Sequence, residues 1–182
     1  MEENDPIKNL IDLAKKIQEK QNRSHYVRGQ IISEAILLER LVDDYISRYF
    51  TDDSAKLVFM KEVVFGADKM VFEYKRQIFH EILKINNKDF LKTYPTLLKE
   101  ISYIIEKRNN VAHLLIDIRA PQLDKSGIAL VKHKNVTSEV YLDEEEIDNV
   151  LTTINRCVDI ITKLIRIDYQ YDYSHGLDDL IN

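Results

Sequence analysis

The sequence predicts an all-α bundle of about six helices, with a small β-hairpin before the last one. Three observations carry that expectation. Only four glycines and three prolines punctuate 182 residues, so connections are short and helices long. Apolar residues recur at helical spacing over most of the chain. Between Ile128 and Leu142 the pattern instead becomes two short strand-like runs around Lys134-Asn135.

Each element follows from local signals. Asp5-Pro6 is a helix start, with a capping residue before a proline. Ile7, Leu10, Ile11, Ala14 and Ile17 follow it at helical spacing, and the polar run Gln21-Asn22-Arg23-Ser24 marks a break. A longer second helix is expected after Ser24, with Val27, Ile31, Ala35, Leu38, Leu41, Val42, Tyr45, Ile46 and Tyr49 on its buried stripe. Gly29 near its start would allow close packing. Thr51-Asp52-Asp53-Ser54 caps a third helix that Gly66 ends. Asp68 caps a fourth, carrying Val71, Phe72, Tyr74, Ile78, Phe79 and Ile82. Asn86-Asn87 makes a turn, and a polar-aromatic stretch leads to Pro95. The fifth helix shows Leu97, Leu98, Ile101, Ile104, Ile105, Val111 and Ala112. From Ile116 to Leu123 the chain reads as extended or looped, with Pro121 preventing regular helix. Ile128–Val131 and Val136–Leu142 form the hairpin. Asp143 opens the last helix, with Glu144-Glu145-Glu146 in its first turn.

The expected organisation is one domain over 1–182. It comprises an N-terminal helix and connection (1–24), a bundle core (25–115), a loop and hairpin (116–142), a C-terminal helix (143–168) and an acidic tail (169–182). No run of 18 apolar residues is present, so no membrane span is expected. The polar, acidic start carries no secretory signal, and the single Cys157 excludes an internal disulfide and a cysteine-based zinc site. A cytoplasmic protein is expected. From Asp143 onward, ten acidic residues face Arg156, Lys163 and Arg166, which leaves the preceding chain at +2 against a total of −5. Any phosphate-binding capacity therefore lies before residue 143.

One segment gathers chemistry: Arg108-Asn109-Asn110-Val111-Ala112-His113. It places a fixed cation, an amide and an imidazole at the end of the fifth helix. Asn109 and His113 share a helical face. Arg108 and His113 lie about 140° apart around the axis. They cooperate only if the arginine stem swings, if the helix ends near the histidine, or if two chains each supply a pair. The set suits RNA cleavage without metal or other cofactor, because the 2′-hydroxyl is the nucleophile. Imidazole moves the proton, and guanidinium holds the phosphate. Asn109 would orient the imidazole or bind a phosphate oxygen. A plainer account is two cations placed near a helix C-terminus, where the dipole favours them.

The segment resembles the hallmark of the HEPN superfamily, nucleotide-binding domains shared by higher eukaryotes and prokaryotes. That hallmark is arginine, a polar residue, a few others, then histidine, at the end of a late helix in an all-α bundle. The helix Ile31–Ile46 is similar to the family's early helix. The resemblance spans roughly residues 25–167 and is specific only at the motif. It implies a metal-independent endoribonuclease in which Arg108 and His113 are the catalytic pair, with Asn109 in support. It also implies a homodimer with two motifs facing one cleft, and RNA as partner. Toxin and phage-defence roles occur in the family, with an antitoxin as protein partner. So do catalytically inactive interaction or RNA-binding modules. Leu115 stands where one toxin subgroup has a tyrosine that is modified to silence it, which argues against that route here.

Other residues have simpler accounts beside functional ones. Glu39 or Asp43 would orient His113 or pair with Arg108, or else lie on a solvated face. Arg40 and Arg48 would bind phosphate or do the same. Residues 69–92 hold six basic and three acidic residues around His80, a candidate for contact with a nucleic-acid backbone. Dispersed His25, His133 and His175 offer no metal-ligand spacing. Cys157 reads as a small buried hydrophobe, and Tyr45, Tyr49 and Tyr74 as core or interface.

Overall fold

The structure, a computed structural model, describes residues 6–67, 70–132 and 135–169. Of these, 80% are helical, and a small antiparallel sheet precedes the last helix. The elements in order are α1 (Pro6–Phe50), α2 (Ser54–Phe59) running into a π-helical turn (Met60–Phe65), α3 (Phe72–Asn86), α4 (Lys88–Thr93), α5 (Leu97–His113), β1 (Leu115–Ile116), α6 (Ala120–Leu123), β2 (Ile128–Lys132), β3 (Asn135–Leu142) and α7 (Glu144–Tyr169).

The break expected at residues 21–24 does not occur. α1 is one helix of 45 residues, so the boundary between 1–24 and 25–115 is not a structural one. None of the four polar residues is Gly or Pro, and Asn and Ser cost a helix well under about 1 kcal/mol each. Tertiary ties outweigh that cost. Lys16 pairs with Asp124 at 2.8 Å, the Lys20 ammonium donates to the Lys125 carbonyl, and Arg23 pairs with Glu144. The stripe of Ile7, Leu10, Ile11 and Ala14 stays exposed. Gly29 does not serve close packing either: nothing lies within 4 Å of where its Cβ would be.

Two other expectations are corrected. The stretch before Pro95 contains α4, and Pro121 sits in the first turn of α6 rather than preventing a helix. Proline is tolerated there because its missing N–H would find no helical acceptor. The Asp53 carboxylate accepts from the Ala55 and Lys56 amides, which starts α2 as expected. At Gly66 a Cβ would meet the Glu62 carbonyl oxygen at 2.3 Å, so only glycine closes the π-helical turn. Asp68 lies outside the described residues.

The chain divides into two compact units, with boundaries inside α1, α5 and α7. The first takes in the chain to Ile32 and Arg108–Val150. Its buried residues include Val27, Ile31, Val111, Leu114, Ile128, Leu130, Leu142 and Ile147. The expected hairpin of β2 and β3 gains a third strand, giving the order β1-β2-β3, all antiparallel. Leu115 faces Val131 and Ile128 faces Leu142, with an irregularity between Val131 and Lys132. Gly127 enters β2 with φ +74°. A Cβ there would sit 2.2 Å from the Leu142 carbonyl oxygen.

The second unit takes in Ser33–Lys107 and the chain from Leu151. Leu38, Leu41, Tyr45, Ile46, Phe79, Leu83, Ile101, Ile104, Ile161 and Leu164 are among its buried residues. Tyr45 meets Phe79 edge-on at 5.1 Å and donates its hydroxyl to Asp168 at 2.8 Å. This unit also buries charge. Lys75 of α3 bridges Glu39 at 2.7 Å and Asp43 at 2.8 Å. Asp44 pairs with Arg48 at 2.7 Å and with Lys61 of the π-helical turn at 2.5 Å. Asp43 Oδ1 is buried without a hydrogen-bond partner. Burial pushes the Asp43 carboxyl up from its ordinary 3.8 to about 7, with Lys75 opposing and Glu39 assisting the rise.

Two outcomes follow. A carboxyl whose folded value lies above its unfolded one stabilises the fold at low pH and loses that contribution as pH climbs, here between 3.8 and about 7. Urea unfolding of wild type and Asp43→Asn at a series of pH values should therefore show the variant gaining on wild type by up to about 1.4 kcal/mol per pH unit in that window. Gly127→Ala should cost about 2 kcal/mol or more, from strain at positive φ and the clash with Leu142. The urea midpoint measures it.

Candidate functional site

The site is built at the end of α5. Ile101, Ile104, Ile105 and Val111 are buried on one side of this helix, while Glu106, Asn109 and His113 are exposed. The Leu114 amide still reaches the Asn110 carbonyl at 3.0 Å, but Leu115 and Ile116 leave for the sheet and pair with β2. The helix thus ends at His113 without a glycine. Beyond it, buried Asp117 turns the chain: its carboxylate accepts from the Arg119 amide at 3.0 Å and holds the Arg119 guanidinium. That contact keeps the Asp117 carboxyl below the usual range.

The three motif residues are placed as follows. His113 is exposed in the last turn and, among the described residues, its imidazole has no hydrogen bond or ion pair. Arg108 is half-buried, and its guanidinium donates to Asn109 Oδ1 at 3.2 Å. The structure therefore joins Arg108 to Asn109. Among the described residues, no side-chain hydrogen bond joins either of them to His113. Glu39 and Asp43 are committed to Lys75, and Arg48 to Asp44, so none of these serves as a free acid or phosphate ligand.

A residue not singled out in the sequence enters here. Arg28 of α1 donates its Nε to the Val111 carbonyl, inside the motif, at 2.6 Å. The arginine sits in a helix 83 residues away, and no local pattern points from one to the other.

The basic stretch around His80 is less cationic than its composition. Arg76 is held by Glu73, Lys84 by Glu81 and Lys92 by Asp89, each three residues apart on one helix. Such surface pairs add little stability, but they cancel most of the field a phosphate backbone would meet. His80 is half-buried beside a groove of about 440 Å³ lined by Arg76, Lys99, Ser102, Tyr103 and Glu106. Burial and the nearby Lys84 lower its imidazole, which favours the neutral form. His25 is exposed, and His133 and His175 lie outside the described residues. Among the described residues, no group of three His, Cys, Asp or Glu is placed to hold a metal ion.

Cys157 is buried, with its sulfur 3.7 Å from Glu100 Oε2. Burial and that carboxylate push the thiol up to about 12. No family model, curated protein or solved structure matches this chain.

The inert thiol is directly measurable. Disulfide-exchange reagent at pH 8 should leave Cys157 unmodified in the native protein and label it at the rate of a free thiol once the chain is unfolded in urea.

Proposed function

We propose that this protein is a metal-independent endoribonuclease of the HEPN type, with His113 as acid–base residue and Arg108 as phosphate clamp. The observation that carries the reading is an exposed imidazole, free of protein partners among the described residues, ending the helix that carries Arg108. A base must be open to substrate, and one already hydrogen-bonded to its own protein would have to be released first.

The chemistry needs no nucleophile from the protein. The ribose 2′-oxygen attacks phosphorus as neutral imidazole takes its proton. The bond from phosphorus to the 5′-oxygen breaks, that oxygen gains a proton, and a 2′,3′-cyclic phosphate remains. Guanidinium stabilises the added charge of the phosphorane between these steps. Asn109 holds Arg108 in place through its side-chain oxygen. A homodimer with two motifs facing one cleft would supply two imidazoles, one to take the first proton and one to give the second. A cytoplasmic toxin or phage-defence effector restrained by an antitoxin fits such an activity. The alternative is a catalytically inactive dimeric interaction or RNA-binding module. It is favoured by the bond that turns Arg108 toward Asn109, because nucleic-acid binding requires no coupling between Arg108 and His113.

Cleavage of total RNA by the purified protein in EDTA tests the reading. His113→Ala should lower the rate at least about 100-fold, and Arg108→Ala by about 100–1000-fold. Equal cleavage by all three proteins would remove the motif from the reaction. Absence of cleavage by wild type would favour the binding module.

A further inference from the structure

The C-terminal end of a helix is an unfavourable place for an anion. Its last carbonyls carry the negative pole of the helix dipole, so a phosphate drawn to His113 needs more positive charge than Arg108 alone supplies. Arg28 is positioned to supply it. In a longer helix the Val111 carbonyl would accept from the amide of residue 115, but Leu115 has left for the sheet. The Arg28 Nε takes that place at 2.6 Å. Its guanidinium therefore lies at the end of the last turn, within about one helical pitch of the His113 backbone.

Nε–H is one of five donors on this side chain. The other four, on the two terminal nitrogens, have no partner among the described residues, and no carboxylate pairs with Arg28 there. This sets it apart. Arg23, Arg48, Arg76, Arg119 and Arg156 each hold a carboxylate. Arg28 is also half-buried, where an uncompensated charge costs more than on the open surface.

We propose that Arg28 is the second phosphate-binding residue of the motif. Its Nε holds the end of α5, and its terminal nitrogens receive a non-bridging oxygen of an RNA phosphodiester. The inference rests on the RNA reading of Arg108 and His113 and names the residue that completes their anion site.

The test is binding of a fluorescein-labelled, 2′-O-methylated single-stranded RNA, which resists this cleavage, measured by anisotropy over a range of KCl. Each phosphate contact on a single strand contributes about 0.7 to the slope of log affinity against log salt. Arg28→Gln should weaken binding and flatten that slope by about 0.7, as should Arg108→Gln. Arg28→Lys keeps the charge and should keep the slope. A folded Arg28→Gln with the wild-type slope, beside a flattened Arg108→Gln, overturns the role of Arg28 and leaves the motif reading intact. RNA binding that is absent in wild type, or unaffected by either substitution, overturns both. Should Arg28→Gln fail to fold, nitrogen-15 NMR of the wild-type arginine side chains decides, with Arg28 assigned through Arg28→Lys. Its terminal nitrogens should shift on addition of the same RNA, and unmoved signals overturn the proposal.

Discussion

The termination of α5 at His113 is the constraint on which the candidate site depends. A helix that continued would give the Val111 carbonyl to residue 115 and would cover the last turn with another. Pairing of Leu115 and Ile116 with β2 prevents this. Two consequences follow together: His113 is left exposed at a helix end, and a carbonyl is opened that Arg28 fills. The sheet therefore sets where the motif stops. Gly127, whose backbone lets β2 begin against Leu142, contributes to the same result from the other side of the strand.

In the second unit the organising feature is buried charge. Glu39, Asp43 and Asp44 lie along α1, answered by Arg48, Lys61 and Lys75. The signs balance, yet Asp43 retains an unpartnered buried oxygen and a carboxyl that titrates near neutrality. Such a cluster contributes little net stability, because desolvation offsets most of the attraction. Its value lies in register, since a shift of α3 along α1 would strand Lys75 without either partner. The π-helical turn has a matching role in carrying Lys61 to Asp44.

The electrostatics of the motif differ from those of a helix N-terminus, the usual seat of a phosphate. At a C-terminus the backbone repels an anion, and side chains must reverse the field. In the proposed site Arg108 and Arg28 would do so from two helices. The same arrangement explains why the basic stretch around His80 is the weaker candidate for binding RNA. Arg76, Lys84 and Lys92 are paired on their own helices and Lys75 is paired with α1, whereas Arg28 has no carboxylate among the described residues.

What the sequence determined by itself was local. Helical periodicity, the Asp53 cap and the strand-like runs before the last helix placed most elements, because each signal acts within a few residues. The motif was legible for the same reason, as six consecutive side chains. Decisions made by distant groups were not legible. Residues 21–24 stay helical because Lys16, Lys20 and Arg23 find partners more than 100 residues away. Glu39 and Asp43 looked free to serve His113 until α3 brought Lys75 to them. Arg28 carried no local signal, since its role depends on a carbonyl exposed only once β1 has joined the sheet. Tertiary structure decided these points because hydrogen bonds and ion pairs are settled by proximity in space, which periodicity along the chain does not encode.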